Sequence, residues 1–114
     1  QIKSMDDLEE NDWRRHSPRF QGENFKNNIA IVEAVEKIAS DKNVKPSQIA
    51  IAWLLQKGDW VVPIPGTKRI KYMVENAEAV EVQLTDAEVS KLDDLSEKVS
   101  GTRYPEAFMH TLYN

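Results

Sequence analysis

The chain has 114 residues, of which 40% are hydrophobic and 30% are charged, and its formal net charge is −4. This length suits one domain, no apolar run reaches the ~20 residues of a membrane helix, and the acidic balance argues against nucleic acid as a partner. Cysteine is absent, which excludes disulfides and thiolate metal ligands. The first ten residues are too acidic for a secretory or organellar leader and have no apolar segment. We expect a cytoplasmic protein with no membrane partner and no metal site.

Residues 1–22 contain clustered charges, Pro18 and Gly22, and they have no sustained hydrophobic period. This pattern predicts a surface loop with a helical turn near residues 5–12. The arginines of this loop leave two interpretations open, a solvated surface or a cover over a bound ligand. The first residue is Gln1 rather than Met, and we expect a fragment of a longer protein.

Residues 23–58 predict two helices. In residues 23–40 the apolar side chains recur at spacings of three and four, as in an amphipathic helix. Pro46 suits the first position of a second helix, and Gly58 suits its end. Residues 49–55 are apolar nearly all round, so this helix is expected to contact protein on more than one side.

The remaining segments predict one strand and two further helices, at residues 60–64, 67–80 and 85–99, before a tail at residues 100–114. Thr85 followed by Glu88 has the spacing of a capping box. A lone strand has unpaired backbone groups on both edges, and Pro63 and Pro65 cannot donate to a ladder. The strand therefore predicts partner strands outside this chain.

The transition from the strand to the next helix predicts a phosphate site. Gly66 is expected to form a tight turn, and Lys68 and Arg69 place two cations at the start of the following helix. Amide groups in the first turn of a helix lack internal partners and favour anions. A pair of solvated surface cations is the alternative, but the glycine before them and Glu75 and Asn76 after them favour a ligand.

The order and spacing of these residues resemble the last strand and helix of the aldo-keto reductases, and the preceding helix is similar as well. The resemblance covers roughly residues 17–98, and its nearest branch includes perakine reductase and the auxin-induced-like reductases. It is carried by Val61-Val62-Pro63-Ile64-Pro65-Gly66-Thr67-Lys68-Arg69, by Glu75-Asn76, by Leu84-Thr85 and by Pro46-Ser47-Gln48-Ile49-Ala50-Ile51-Ala52-Trp53-Leu54-Leu55.

The resemblance implies an α/β fold, namely the C-terminal portion of a (β/α)8 TIM barrel that is mostly helical and contributes one barrel strand. Residues 1–22 would be the loop after strand seven, residues 60–64 the last strand, residues 67–80 the last barrel helix and residues 85–99 an extra helix. Such barrels have ~250 residues, so the remainder of the barrel would be the partner of this segment.

The resemblance also implies a site for NADP(H) and a role for each residue in it. Gly66 and Thr67 would contact the pyrophosphate and ribose, Lys68 and Arg69 the 2′-phosphate, and Glu75 and Asn76 the adenine; Pro65 completes the predicted cofactor-binding set. Tyr72 departs from the family pattern, and either Arg69 replaces the usual side chain or Tyr72 stacks on the adenine.

The family's catalytic Asp, Tyr, Lys and His lie in earlier strands, so no catalytic residue is predicted in this chain. The complete protein is predicted to be an NADPH-dependent oxidoreductase that reduces small aldehydes or ketones. The alternative is a small helical protein-interaction module without catalytic activity. His16 and His110 are interpreted as structural or solvated, and Trp13, Trp53 and Trp60 as packing residues.

Overall fold

The computed structural model describes residues 2–112, which are mostly helical. Its α-helices are α1 (Gly22–Asp41), α2 (Pro46–Leu55), α3 (Ile70–Ala77), α4 (Asp86–Glu97) and α5 (Glu106–Met109), and 3₁₀ turns lie at Met5–Asp7, Trp13–His16, Pro18–Phe20, Glu78–Glu81 and His110–Leu112. Within these residues, no helix combines the length and apolar character needed to cross a bilayer.

The chain forms two compact units, whereas its length suits one domain. One unit is Val32–Ser96, and the other combines Gln1–Ile31 with Glu97–Asn114. Buried side chains occur in both units, with Leu8 and Ser17 in the second and a larger hydrophobic cluster in the first. Each of the two units therefore buries side chains of its own.

The hydrophobic cluster of residues 32–96 joins three helices. Its buried members are Ile38 and Ala39 from α1, Ile49 from α2 and Leu92 from α4, and partly buried apolar side chains pack around them: Val35, Val44, Trp53, Val82, Leu84 and Leu95. The apolar positions of each helix recur at spacings of three and four, which places them on one face. This cluster holds α1, α2 and α4 together, and the start of α2 forms part of the candidate site.

Helix α2 begins where the proline predicts and ends slightly earlier than expected. Pro46 occupies its first turn, and the Gln48 side chain accepts a hydrogen bond from the Lys45 backbone N–H at 2.9 Å. The turn after Leu55 leads to Gly58, whose φ of +142° disfavours other residues. One side of α2 is buried, but Leu54 remains exposed, as expected of a helix that needs protein on a second side.

Asp93 joins the C-terminal end of α2 to α4. Its carboxylate accepts a hydrogen bond of 2.6 Å from the Trp53 indole and forms an ion pair with Lys57. The hydrogen bond from Lys57, and then that from Trp53, keeps the pKa of Asp93 below its usual value. Trp53 is therefore a packing residue, as the sequence predicts.

The capping box before α4 is confirmed. Glu88 accepts a hydrogen bond from the Thr85 N–H at 2.7 Å, and the Glu88 N–H donates to the Thr85 hydroxyl at 3.3 Å. Lys42 pairs with the same carboxylate at 2.9 Å, which links the end of α1 to α4. Helix α4 ends at Glu97, two positions short of the predicted end.

The structure has no strand at residues 60–64, nor anywhere else in residues 2–112. Trp60 lies in a turn, and residues 61–67 belong to no regular element. A strand is defined by hydrogen bonds to a neighbouring strand, and the described residues supply none. The strand within a complete barrel remains a prediction.

Two of the three tryptophans are not packed as predicted. Trp13 is 60% exposed and Trp60 is 82% exposed. The Trp60 ring covers only Gly58, where an added Cβ would lie 2.6 Å from it. Within residues 2–112 the interpretation of Trp13 and Trp60 as packing residues is therefore not met, because both rings remain largely exposed.

The predicted helix at residues 67–80 is shorter and is divided. Helix α3 begins at Ile70, because Thr67 and Arg69 form a bend before it, and it ends at Ala77. The next residues continue as the 3₁₀ turn Glu78–Glu81. The prediction of a helix in this segment is thus confirmed, but the helix begins three residues later than predicted.

The unit that contains both ends of the chain is more ordered than the predicted loop and tail. Its N-terminal part has the three 3₁₀ turns between Met5 and Phe20, and its C-terminal part contains α5. Asn28 links them, since its amide donates to the carbonyls of Arg19 and Ser100 and accepts from the Ser100 N–H. Tyr113, assigned to the tail, lies outside the described residues.

Candidate functional site

A cleft between the start of α2 and the start of α3 contains most of the predicted site residues. Its volume is about 640 Å³, and it is lined by Ser47, Gly66, Thr67, Lys68, Arg69, Tyr72, Glu75 and Asn76. Small-molecule sites commonly have volumes of roughly 300–1,000 Å³. The cleft is therefore large enough for part of a nucleotide.

The bend at the entrance to α3 is fixed by Thr67. Its hydroxyl accepts a hydrogen bond from the Arg69 N–H at 3.3 Å and donates to the Arg69 carbonyl at 3.1 Å. Tight turning at Gly66 is not observed, because Gly66 has no positive φ and the chain bends instead at Lys68 and Arg69. An added Cβ on Gly66 would meet nothing within 4 Å, so its small size matters only for an approaching ligand.

The two cations of the cleft are exposed. Among residues 2–112, Lys68 and Arg69 form no ion pair with a carboxylate. The Arg69 guanidinium lies 5.9 Å from the centre of the Tyr72 ring. A guanidinium against an aromatic face keeps its N–H edge available for an anion. The arrangement offers two uncompensated positive charges beside the free amides of a helix start.

Tyr72 is thus engaged by Arg69 in this structure. The sequence leaves open whether Arg69 substitutes for a missing polar side chain or whether Tyr72 stacks on a base. The observed contact brings the two residues together, so both can contribute to one surface of the cleft. Stacking of Tyr72 on adenine remains a prediction.

Glu75 and Asn76 lie one turn further along α3, on its half-buried side. The Glu75 carboxylate lies 3.8 Å from Lys71, and its backbone carbonyl accepts a hydrogen bond of 2.9 Å from the Gln48 amide. A carboxylate and a carboxamide together supply both hydrogen-bond acceptors and donors. This pair can recognise the polar edge of a base.

Pro65 lies away from this cleft. It lines a neighbouring cavity of about 270 Å³, whose other residues are Ile51, Leu55, Pro63, Thr67, Met73, Asn76, Ala77 and Val80. Most of these side chains are apolar, in contrast to those of the cleft. Thr67 and Asn76 line both spaces.

The other candidates from the sequence have local roles. In the unit with both chain ends, Arg14 pairs with Asp12 at 2.5 Å, and Arg15 and Arg19 donate to backbone carbonyls. The hydrogen bonds from Arg14 lower the pKa of Asp12 to about 2. A cover formed by these arginines remains a prediction.

His16 and His110 are both exposed. Each lies in a 3₁₀ turn. Across the part of the chain that the structure describes, no group of three or more His, Cys, Asp or Glu side chains is arranged to hold a metal ion.

Sequence reasoning missed two residues at the cleft. Ser47 lines it directly, and Gln48 holds the backbone of Glu75 from behind. The available signal was Pro46, because a proline in the first turn also places the next residues at the exposed start of a helix. The pairing of α2 with α3 could not be read from that signal.

Comparisons with known proteins identify the family of this chain. The model of the Aldo/keto reductase family matches residues 2–97. The aldo-keto reductase yakc of Schizosaccharomyces pombe, whose name includes NADP(+), is 49% identical over 105 residues, which cover 90% of this chain and 31% of the relative. The aldo-keto reductase str7 of Strobilurus tenacellus is 42% identical over 98 residues, which cover 86% of this chain and 29% of the relative.

The chain spans about a third of the length of these curated relatives. No solved structure matches it. The family match nevertheless includes every residue of the cleft, from Ser47 to Asn76. The chain belongs to the aldo/keto reductase family.

Proposed function

We propose that this chain is the C-terminal third of an NADPH-dependent oxidoreductase that reduces small aldehydes or ketones to alcohols. The chain would supply the adenosine-phosphate part of the cofactor site. The observation that carries this proposal is the cleft itself, which collects Gly66, Thr67, Lys68, Arg69, Glu75 and Asn76 around one space. The family and the NADP(+) in the name of one relative support the choice of cofactor.

The chemistry of the cleft fits the adenosine end of NADPH. Lys68 and Arg69 have no carboxylate partner among the described residues, and a 2′-phosphate would compensate their charge. Gly66 and Thr67 would lie beside the pyrophosphate and ribose, and Glu75 and Asn76 beside the adenine. Pro65 would contribute from the margin of the site, since it lines the neighbouring cavity.

This segment would bind and orient the cofactor rather than move a proton. Bound NADPH supplies the hydride in such a reduction, and the protein positions its reactive atom. The catalytic Asp, Tyr, Lys and His of the family would lie in earlier strands of the same protein. No catalytic role is assigned to a residue of this chain.

The remainder of a (β/α)8 barrel would cover the apolar surface that this chain leaves open. Val62 and Ile64 are exposed in the segment proposed as the last barrel strand, and Ile70, Met73 and Val80 are exposed on or after α3. Isolated monomers rarely expose so many neighbouring apolar side chains. This argues against the self-sufficient helical module, which would bury them.

Three parts of the proposal rest on sequence alone. The branch with perakine reductase and the auxin-induced-like reductases is carried by the quoted motifs. Residence in the cytoplasm is the expectation stated above, and the lack of a nucleic-acid partner is supported by the net charge of −4. Each remains a prediction.

The cofactor assignment is tested by a paired substitution in the full-length protein. Replacing Lys68 and Arg69 together with Ala should weaken the binding of NADPH by about tenfold or more relative to the binding of NADH, because charge-assisted contacts to a phosphate are lost. Dissociation constants from fluorescence titration provide the measurement. The double variant Lys91→Ala and Lys98→Ala removes the same charge from exposed sites and should leave both affinities unchanged.

Equal losses of affinity for NADPH and NADH would contradict the assignment of Lys68 and Arg69 to the 2′-phosphate. Failure of the unmodified full-length protein to bind NADPH would remove the proposed function as a whole and would favour the interaction module.

A further inference from the structure

Gln48 is a buried polar residue beside the cleft. Only 7% of its surface is exposed, and it lies directly after Ser47, which lines the cleft. Buried amides are unfavourable unless their hydrogen-bonding groups are satisfied. Both ends of the Gln48 amide therefore require partners, and the identity of these partners shows what the residue connects.

The Gln48 amide connects two helices. Its oxygen accepts the hydrogen bond from the Lys45 N–H at 2.9 Å, which fixes it to the start of α2. Its nitrogen donates to the Glu75 carbonyl of α3, also at 2.9 Å. Since α3 ends at Ala77, the Glu75 carbonyl is among the last four of the helix, which have no regular partner within it.

Helix α3 is anchored beyond its C-terminal end by the turn Glu78–Glu81, in which Ala79 is fully buried. None of the residues of α3 is fully buried, and Ile70, Met73 and Val74 are all about half exposed or more. Such a short helix is marginal by itself and depends on contacts with the rest of the protein. Within the helix itself, the hydrogen bond from Gln48 ties the backbone of Glu75 directly to the start of α2.

We propose that Gln48 is a positioning residue for the adenosine end of the cofactor. It holds the Glu75–Asn76 wall of the cleft at a fixed distance from the Ser47 wall. This inference rests on the proposed function. Gln48 acts through Glu75 and Asn76 and does not touch the cofactor.

This role has a signature that differs from that of the cations. Adenine is common to NADPH and NADH, so displacement of Glu75 and Asn76 weakens both cofactors by the same factor. Loss of Lys68 and Arg69 weakens NADPH selectively. The ratio of the two dissociation constants therefore separates positioning of the adenine wall from binding of the phosphate.

Two variants of the full-length protein test the inference. Gln48→Met keeps a similar volume and loses both hydrogen bonds. Gln48→Glu keeps an acceptor for Lys45, but its ionised carboxylate cannot donate to Glu75. NADPH and NADH are titrated against each variant at a temperature where circular dichroism shows it to be folded, and steady-state kinetics separate KM from kcat.

Asp93→Asn is the matched control, because it also disturbs a link between helices of Val32–Ser96 but lies outside the cleft. We expect both Gln48 variants to weaken NADPH and NADH alike, by about tenfold, which corresponds to roughly one or two lost hydrogen bonds. KM for the cofactor should rise by the same factor, while kcat at saturating cofactor changes less than twofold. The control should retain wild-type affinity.

Several results would overturn the inference: wild-type affinity in either Gln48 variant, a loss confined to NADPH, or an equal loss in Asp93→Asn. Wild-type affinity in Gln48→Glu alone would assign the effect to the Lys45 contact. Absence of NADPH binding in the unmodified protein would instead refute the proposed function, so the two failures are distinguishable.

Discussion

The helical cluster and the segment at residues 60–64 are both rich in apolar side chains, yet their surroundings are opposite. Ile49 is fully buried and Leu92 is 6% exposed, whereas Val62 is 77% exposed and Ile64 is 92% exposed. Helices satisfy their backbone internally and need only a neighbour for one face. A strand needs neighbours for its backbone as well as for its side chains. The difference shows which parts of the fold this chain can form with its own residues.

The largest expected effect is in the helical cluster. Ile49→Ala should lower the free energy of unfolding by about 2–5 kcal/mol, because it leaves a cavity among packed side chains. Chemical denaturation of the full-length protein measures this loss. A loss below about 1 kcal/mol would mean that Ile49 is not at the centre of the packed cluster.

A second substitution tests the contrast at the proposed strand. Although Ile64 is exposed here, Ile64→Ala in the full-length protein should lower the free energy of unfolding by about 2–4 kcal/mol if barrel residues cover it. The same denaturation experiment measures it. A change within about 0.5 kcal/mol is typical of surface sites and would contradict the barrel.

A smaller effect is expected at the start of α4. Thr85→Ala removes the hydroxyl that accepts from the Glu88 N–H and should destabilise the protein by about 1 kcal/mol. Thr85→Ser keeps the hydroxyl and should be nearly neutral. Equal stability of the Ala and Ser variants would show that the hydroxyl half of the capping box contributes nothing in solution.

The smallest effect is a dependence on pH at Asp93. Folding lowers the pKa of Asp93 below its usual value of 3.8. Its contribution to stability is therefore fully present above pH 3.8 and is lost as the pH falls through the folded pKa. The difference in Tm between the wild type and Asp93→Asn should therefore be largest above pH 5 and shrink below pH 3.8. A constant difference across this range would mean that the Lys57 and Trp53 contacts do not act on the charged carboxylate.

The helices could be predicted because their signals are local. Pro46 marks the start of α2, and the Thr85 and Glu88 pair marks the start of α4. The clustering of the cleft residues was also accessible, since Gly66 to Asn76 are close in sequence. These features depend on spacing and backbone chemistry within a few turns.

The missed features depend on contacts between distant residues. The hydrogen bond from Gln48 to Glu75 joins residues 27 positions apart, and those between Asn28 and Ser100 join residues 72 apart. Trp60 is of a residue type that usually packs in a core, but its exposure depends on the residues that surround it. The hydrophobic pattern indicates which side chains favour burial, but it does not identify the residues that bury them.

Hydrogen exchange at residues 61–69 of the full-length protein, with and without NADPH, tests the account most directly. Within residues 2–112 the N–H groups of Val62 and Ile64 have no hydrogen-bond partner. We predict that both are protected in the full-length protein because they pair with a neighbouring strand, and that NADPH adds protection at Thr67, Lys68 and Arg69. Rapid exchange at Val62 and Ile64, with no change on addition of NADPH, would contradict both the barrel and the cofactor site.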